Sequence, residues 1–302
     1  MHPIKIAIIS DLHIGNKARS SDLNPTTSPA LRNENFLEKF ERFATSQNVT
    51  ADLLICPGDL SSEAESTEFT LASNIIERTA RSLGVEDSRI FFCPGNHDVD
   101  WKVLKLAPDN CITAKESRWR QRYFSLTDID HLFSRRSKPS TCDNFIGDLF
   151  KPPYAGYWNS PEALIASINS ASHDCPNSPI HHGFISNISL DWLNENIRKR
   201  APSCEAVRCL ILHHHLVPHG NIGAESRDYS TCQNSDKLLD LIRELDFDIV
   251  IHGHKHYPRF ETQLVGSDHP IVILGAGSFS ADLASDYGGG VHNQFHLISI
   301  DG

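Results

Sequence analysis

Five short motifs in this chain carry side chains that bind divalent metal ions in proteins. They are Asp11-Leu12-His13, Gly58-Asp59, Gly95-Asn96-His97-Asp98, the first of three consecutive histidines at His213, and His254-Lys255-His256. Carboxylate, imidazole and amide donors together suit divalent cations of hard to borderline character. Each motif alone also fits an ordinary polar turn or an ion-paired Asp/His couple. All five together predict one metal-dependent site, if the fold brings them to the same place.

Each motif follows an apolar run that predicts a buried strand. The runs are Lys5–Ser10, Ala51–Cys56, Ile90–Cys93, Arg208–Leu212 and Asp248–Ile251. Pro-Gly pairs end the second and third runs, because proline lacks an N–H and glycine tolerates positive φ. In open α/β sheets, ligands bind outside the carboxyl ends of the strands. The five motifs are therefore expected to converge on one edge.

The elements between these strands predict an α/β fold. Helical spacing indicates helices over 34–47, 63–83, 189–198 and 235–245, the first with a stripe of Phe36, Leu37, Phe40 and Phe43 and the third capped by Ser189. Further strands are predicted over 163–171, 260–265, 271–274 and 295–300. Strands that alternate with helices indicate βαβ units.

Residues 99–160 interrupt this alternation, and we predict a mainly helical, basic insert there within a single domain spanning 1–302. Residues 101–140 contain nine Lys or Arg against four Asp or Glu. These cations are either a solvated helical face or a wall that meets an anionic substrate. Both interpretations stay open at this stage.

Composition limits the partners and the compartment. The net charge of −10 argues against bulk attraction to nucleic acid or an anionic membrane. No stretch reaches the ~18 apolar residues of a membrane span, and Ile4–Ile9 runs into polar residues without a signal-peptide cleavage site. The eight cysteines include no C-x-x-C pair. We therefore expect reduced thiols in a cytoplasmic protein.

The number of donors predicts two metal ions rather than one. The motifs supply seven candidate donors, namely four histidines, two aspartates and one asparagine. This number exceeds the three or four protein ligands of a mononuclear zinc site. They fit a two-metal site with one bridging carboxylate. Such sites clamp the entering and leaving oxygens of a phosphoryl displacement.

The order D-x-H, G-D, G-N-H-D, H and G-H-x-H over residues 11–256 resembles the calcineurin-like metallophosphoesterases. The size, the acidity, the single catalytic domain and the regions Asn169-Ser170 and Gly183–Leu193 look most similar to their class III cyclic-nucleotide phosphodiesterase branch. The resemblance implies a four-layer α/β/β/α sandwich, in which two mixed sheets are flanked by helices. It also implies two divalent metal ions, for which Mn, Fe, Zn and Co all suit the mixed N/O donors.

The resemblance further implies a role for each motif residue. It assigns Asp11, His13 and His256 to one metal, Asn96, His213 and His254 to the other, and Asp59 to both as the bridge. His97 would act as a general acid or transition-state donor, with Asp98 holding its imidazole. His214 stays an alternative to His213, because this chain has three histidines where the family often reads His-His-Pro.

The implied function is phosphoester hydrolysis. We predict a phosphodiesterase that acts on small or cyclic nucleotide-type substrates by attack of a metal-bridging hydroxide. One alternative is a nuclease of the same superfamily, which only the basic insert favours. The other is a catalytically silent binding module, against which the intact set of ligands argues.

Overall fold

The computed structural model describes residues 3–15, 35–100, 145–172, 182–199, 206–218, 230–263, 270–283 and 291–301. Over these ranges the chain forms four α-helices and eleven β-strands, and the strands make two sheets.

The first sheet contains the first three strands of the chain and the last described one. These are β1 (Ile4–Ile8), β2 (Leu53–Cys56), β3 (Ile90–Phe92) and β11 (His296–Ile300). Their order in space is β11-β1-β2-β3. The strands β1, β2 and β3 are parallel, and β11 is antiparallel to β1. The sheet is therefore mixed, and the carboxyl ends of its three parallel strands share one edge.

The second sheet has seven strands and is also mixed. They are β4 (Phe145–Asp148), β5 (Ala155–Asn159), β6 (Ala163–Ile168), β7 (Val207–Ile211), β8 (Ile249–His252), β9 (Arg259–Gln263) and β10 (Ile271–Gly275). Their spatial order is β4-β5-β6-β7-β8-β10-β9. The four central strands β6, β7, β8 and β10 are parallel, and the outer pairings are antiparallel.

Two pairs of helices complete the four predicted layers. They are α1 (Phe36–Ser46), α2 (Ser66–Ser82), α3 (Asn187–Lys199) and α4 (Ser235–Glu244). One apolar core joins α1 and α2 to the first sheet, and a second joins α3 and α4 to the second sheet. A third core lies between the sheets, where Ile6 and Ile55 of the first pack in one cluster with Ile211 and Ile251 of the second. The α/β/β/α order is confirmed.

Two details of the predicted helices are wrong. The buried face of α1 consists of Leu37, Phe40 and Ala44, whereas Phe43 is 51% exposed because it lies outside that arc. The helix α3 begins at Asn187, two residues before the predicted cap. Its capping side chain is Ser186, whose Oγ accepts from the N–H of Ser189.

The predicted helical insert needs a correction at its C-terminal end. Residues 145–159 form β4 and β5, which extend the second sheet beyond β6. Aromatic side chains such as Tyr157 and Trp158 favour a pleated, buried surface. Residues 101–144 lie outside the described part of the chain, so their predicted helices and basic face stay predictions.

No helix among the described residues is long and apolar enough to cross a membrane. The four cysteines of the described ranges, Cys56, Cys93, Cys209 and Cys232, are free and buried. Burial raises the pKa of each of these thiols.

Candidate metal centre

The five motifs lie where the carboxyl ends of the strands of both sheets meet. Backbone hydrogen bonds join the turns to one another: Asp11 N–H donates to the Gly58 carbonyl at 3.1 Å, and Gly253 N–H donates to the His213 carbonyl at 3.1 Å. The N–H of His254 donates to Oδ1 of Asp11 at 3.0 Å and so connects the two sheets. The structure thus brings the motif residues into one site.

A first cluster of donor atoms consists of Asp11, His13, Asp59 and His256, whose ligand atoms all lie within 4.8 Å of one another. Nε2 of His13 is 2.9 Å from Nε2 of His256 and 3.5 Å from Oδ2 of Asp59. Nε2 of His256 is 3.4 Å from Oδ1 of Asp11. Four donors from three separate turns therefore face a common point.

A second cluster consists of Asp59, His213 and His254. Nε2 of His213 lies 3.2 Å from Oδ2 of Asp59, the same oxygen that faces His13 in the first cluster. Oδ1 of Asn96 lies 3.2 Å from Nε2 of His213 and 3.0 Å from Nδ1 of His254. Asp59 is therefore common to both clusters, and Asn96 adds an oxygen donor to the second.

These distances fit the coordination of divalent cations. Neighbouring ligands of one cation, each bonded at about 2.0–2.2 Å, lie roughly 3 Å apart. The separations of 2.9–3.5 Å in both clusters agree with this value. Asp11 and Asp59 are almost fully buried, and within the described residues neither pairs with Lys or Arg. Buried carboxylates require a compensating cation, and two metal ions would supply it.

The electrostatic environment differs between the two histidines nearest to Asp59. For His213, burial disfavours the charged ring, but Asp59 and Asp11 outweigh burial and raise its pKa to about 9. For His13, burial prevails over the same carboxylates and lowers the pKa to about 3. Burial also opposes ionisation of Asp59, yet the surrounding histidines hold its pKa well below the usual range. Asp59 is thus ionised and ready to bind cations.

The backbone of the ligand turns is unusual. Five donor residues have left-handed φ angles, namely Asp11 (51°), His13 (48°), Asp59 (53°), His254 (77°) and His256 (55°). Residues other than glycine rarely adopt this region, although Asp and His do so more often than most. Such strained conformations concentrate at functional sites, where the surrounding structure holds them in place.

His97 lies beside the first cluster but belongs to neither cluster. Its ring centroid is 4.7 Å from that of His13, and its backbone N–H donates to Oδ1 of Asp59 at 2.8 Å. Nδ1 lies 3.0 Å from the carbonyl oxygen of Ser62. A protonated Nδ1 donates to this carbonyl, which makes Nε2 the nitrogen that exchanges protons.

Asp98 does not hold the imidazole of His97, which corrects the predicted role. Oδ1 of Asp98 accepts from N–H and Oγ of Ser61, both at 2.9 Å, and Oδ2 accepts from the Gly95 N–H at 2.9 Å. The carboxylate therefore points back into its own turn and ties it to the turn of Asp59. Burial, reinforced by the nearby Asp59, raises the pKa of Asp98 to about 6.

The geometry favours His213 over His214 as the donor. The second ring nitrogen of His213, Nδ1, lies 2.8 Å from the Pro57 carbonyl, and this contact directs Nε2 towards Asp59. Nδ1 of His214 instead lies 2.9 Å from Oγ of Ser170. Sequence reasoning placed Ser170 only within a region similar to the class III branch and gave it no contact, because a serine that follows a strand carries no distinctive pattern.

Residues 4–258 match the family model of the calcineurin-like phosphoesterases. The chain belongs to this family. Its cofactor is therefore a pair of divalent metal ions, and the two clusters supply a set of ligands for such a pair. The family is one of phosphoester hydrolases, which confirms the coarse activity predicted from the motifs.

Solved structures with this fold include purple acid phosphatase PPD1 from seeds of yellow lupin (Lupinus luteus), with a TM-score of 0.52 and 10% identity over 92% of this chain and 44% of that chain. This chain thus spans less than half of the lupin protein. The protein TT1561 of Thermus thermophilus has a TM-score of 0.47 and 11% identity over 91% of this chain and 90% of that chain. Phosphopantetheinyl hydrolase from Mycobacterium tuberculosis has a TM-score of 0.42 and 13% identity over 92% and 90%. None of the curated proteins matches the sequence.

Proposed function

We propose that the chain is a metal-dependent phosphodiesterase that acts on small or cyclic nucleotide-type substrates. Asp11, His13 and His256 would hold one metal, and Asn96, His213 and His254 the other. The observation that carries the proposal is Oδ2 of Asp59, which faces His13 at 3.5 Å and His213 at 3.2 Å. One carboxylate oxygen between two sets of imidazoles suits a bridge between two cations.

Held by these residues, two divalent ions would make a water available as the nucleophile and would neutralise charge on the phosphoryl oxygens. The residues of the chain fix where this chemistry happens. Asp59 joins the two halves of the site, since its Oδ1 accepts from the N–H of His97 while its Oδ2 faces both clusters. The backbone of His97, the proposed general acid, is therefore hydrogen-bonded directly to Asp59, the proposed bridging carboxylate.

His97 supplies the proton for the leaving group in this proposal. Its Nδ1 lies against the Ser62 carbonyl, so Nε2 gives a proton to the departing oxygen. The imidazole is also close enough to the first cluster, at 4.7 Å between ring centroids from His13, to reach a substrate bound there.

The preference for diesters is supported by the charge of the ligand turns. Residues 10–15, 57–62, 93–98, 212–218 and 252–257 contain one lysine, Lys255, and no arginine. A phosphomonoester carries about −1.5 to −2 charges at neutral pH, whereas a diester carries one. Ligand turns with so few cationic side chains of their own are better matched to the singly charged diester.

A substrate screen with metal-loaded protein tests the proposal. The substrates are bis(p-nitrophenyl) phosphate, the matching monoester, cyclic nucleotides and single-stranded DNA. We expect turnover of the first and third to exceed that of the monoester, and to fall by about 10³-fold or more in the Asp59→Asn control. Stronger activity on the monoester contradicts diester specificity but leaves the hydrolase chemistry intact.

A nuclease is the second candidate, favoured by the excess of Lys and Arg in residues 101–140. Long nucleic acids bind through many phosphate contacts, so their affinity falls steeply with salt. Efficient DNA cleavage that is lost as salt rises, while cleavage of small diesters persists, would favour the nuclease. We expect the opposite, because the net charge of −10 disfavours a long polyanion.

The nitrogen and oxygen donors of both clusters suit Mn, Fe, Zn or Co. Among these we propose manganese or iron as the native ions. Elemental analysis of protein purified without added metal decides between the four. A content dominated by zinc or cobalt contradicts the proposal.

We also propose a cytoplasmic location, which the four free and buried cysteines support. Disulfides form mainly in oxidising compartments. Thiol counting on native protein, extracted under non-reducing conditions, tests this proposal. We expect all eight cysteines to react after denaturation, and a disulfide in that material contradicts it.

A further inference from the structure

Two serines outside the motifs contact the backbone of the first ligand turn. Oγ of Ser278 donates to the carbonyl of Asp11 at 2.7 Å, and Oγ of Ser280 donates to the carbonyl of Leu12 at 2.8 Å. The next carbonyl, that of His13, accepts from Oγ of Ser62 at 2.6 Å. Three consecutive carbonyls of this turn are therefore bound by three serine hydroxyls from two other segments.

The segment that carries Ser278 and Ser280 follows β10 and is fixed to two of the three turns that supply donors to the first cluster. The N–H of Phe279 donates to the Ser10 carbonyl at 2.7 Å, next to Asp11. The N–H of Ser278 donates to the carbonyl of His256 at 3.4 Å. This segment lies beyond residue 258, where the match to the family model ends.

These hydroxyls bind a turn whose backbone conformation is strained. Asp11 and His13 both have left-handed φ angles, which disfavour residues with a side chain. Ser278 and Ser280 are almost completely buried, so water does not replace their hydroxyls. Removal of either serine would leave a buried carbonyl without its donor and release the turn towards ordinary φ angles.

The second cluster is held by other contacts. Its His213 is oriented by the Pro57 carbonyl, and the His213 N–H donates to Oγ of Ser170 at 3.3 Å. Oδ1 of Asn96 contacts both histidines of that cluster. Neither Ser278 nor Ser280 makes a side-chain contact with these residues.

We propose that Ser278 and Ser280 are positioning residues that set the metal affinity of the first cluster. They do so by holding Asp11 and His13 in the left-handed turn that aims both side chains at one point. This inference rests on the proposed two-metal function and extends it to residues that bind no metal themselves.

Calorimetric titration of metal-free protein with Mn²⁺ tests the inference without reference to turnover. We expect two binding steps in the wild type, one of which Asn96→Ala weakens. Ser278→Ala and Ser280→Ala should each weaken the other step by about tenfold, the lower end for residues that orient metal ligands. Ser280→Thr retains a hydroxyl and is expected to retain wild-type affinity.

Ser189→Ala is the matched control. Ser189 is buried, and its Oγ donates to the Pro153 carbonyl at 2.7 Å, away from the donor clusters. The control and the two serine variants should show comparable drops in melting temperature when free of metal. Only the Ser278 and Ser280 variants should lose Mn²⁺ affinity.

The outcomes separate this inference from the proposed function. A wild type that binds fewer than two Mn²⁺ ions overturns the two-metal function itself. A wild type with two steps, alongside serine variants that bind as tightly as the Ser189→Ala control, overturns only the positioning role. If one variant fails to fold, the other still decides, because each serine binds a different carbonyl.

Discussion

The two donor clusters have similar geometry but different charge. The first contains two carboxylates, Asp11 and Asp59, whereas the second has only the shared carboxylate and adds the neutral amide of Asn96. Each also contains two imidazoles. A cation in the first cluster is thus attracted by more negative charge and should bind more tightly. Equal numbers of donors do not make the two positions equivalent.

The clusters also differ in what holds them. Serine hydroxyls donate to consecutive carbonyls of the first ligand turn. In the second cluster one serine, Ser170, accepts from the backbone N–H of His213, and the other contacts are made to the imidazole rings by Asn96 and the Pro57 carbonyl. Backbone support fixes the direction of a whole turn, and ring contacts fix one side chain. Substitutions should therefore affect the two positions separately, except at Asp59, which both clusters share, and at Asp11, whose Oδ1 accepts from the backbone N–H of His254.

Asp59→Asn should have the largest effect, because it removes the one carboxylate common to both clusters. We expect turnover to fall by about 10³-fold or more, at the upper end of what loss of a catalytic electrostatic group costs. Metal content and turnover are measured on the same preparation. Two tightly bound ions together with full activity would remove the basis for a shared bridge.

His97→Ala should leave metal binding by both clusters unchanged while slowing the reaction. Since His97 belongs to neither cluster, we expect unchanged metal content and a rate loss of about 10²–10⁴-fold, the usual contribution of a general acid. The loss should be greatest for substrates with poor leaving groups. Half the normal metal content would instead identify His97 as a ligand.

Asn96→Ala should weaken only the second position. We expect a loss of about 10- to 100-fold in the affinity of one metal, with the other unchanged. Turnover should return when the metal concentration is raised. Asn169→Ala is the matched control, because Asn169 is also buried and hydrogen-bonded at both ends of its amide but lies outside both clusters. Equal losses in the two variants would show a general effect on folding.

The smallest expected effect is the difference in affinity between the two positions of the wild type. One extra carboxylate near a cation is worth about 1.4 kcal/mol or tenfold at a partly screened site. Dialysis against a weak chelator should therefore pause at one metal per chain. In Asp11→Asn, which makes the carboxylate content of the two positions more alike, the pause should disappear. Its persistence would mean that charge does not order the two positions.

The convergence of the ligand turns could be predicted because it depends on local patterns. Apolar runs that stop at a Pro-Gly pair or at a polar residue mark the carboxyl ends of strands, and parallel strands bring those ends together. The pairs Pro57-Gly58 and Pro94-Gly95 are clear examples, and they end β2 and β3. The assignment of particular side chains to each metal followed from the resemblance to the family rather than from these local patterns.

Contacts between distant segments could not be predicted. Ser278 is 267 residues from Asp11, and a serine in a turn of small residues gives no indication of which carbonyl it will bind. Asp98 was assigned to the neighbouring His97, yet its carboxylate binds Ser61, which is 37 residues away. The left-handed backbone of Asp11 and His13 is likewise a consequence of tertiary contacts.

The pairing of β1 with β11 has a consequence for the order in which the protein can be assembled. Ile4 is opposite Ile300 and Ile8 is opposite His296. The strand β1 therefore cannot pair with β11 until almost three hundred more residues have been synthesised. Ribosomes add about 5–20 residues per second, which leaves one edge of β1 uncovered for tens of seconds. Over that period the nascent chain presents a row of unpaired backbone groups, which is a template for association with other chains. We therefore expect β1 to stay open to association with other chains until β11 has been made.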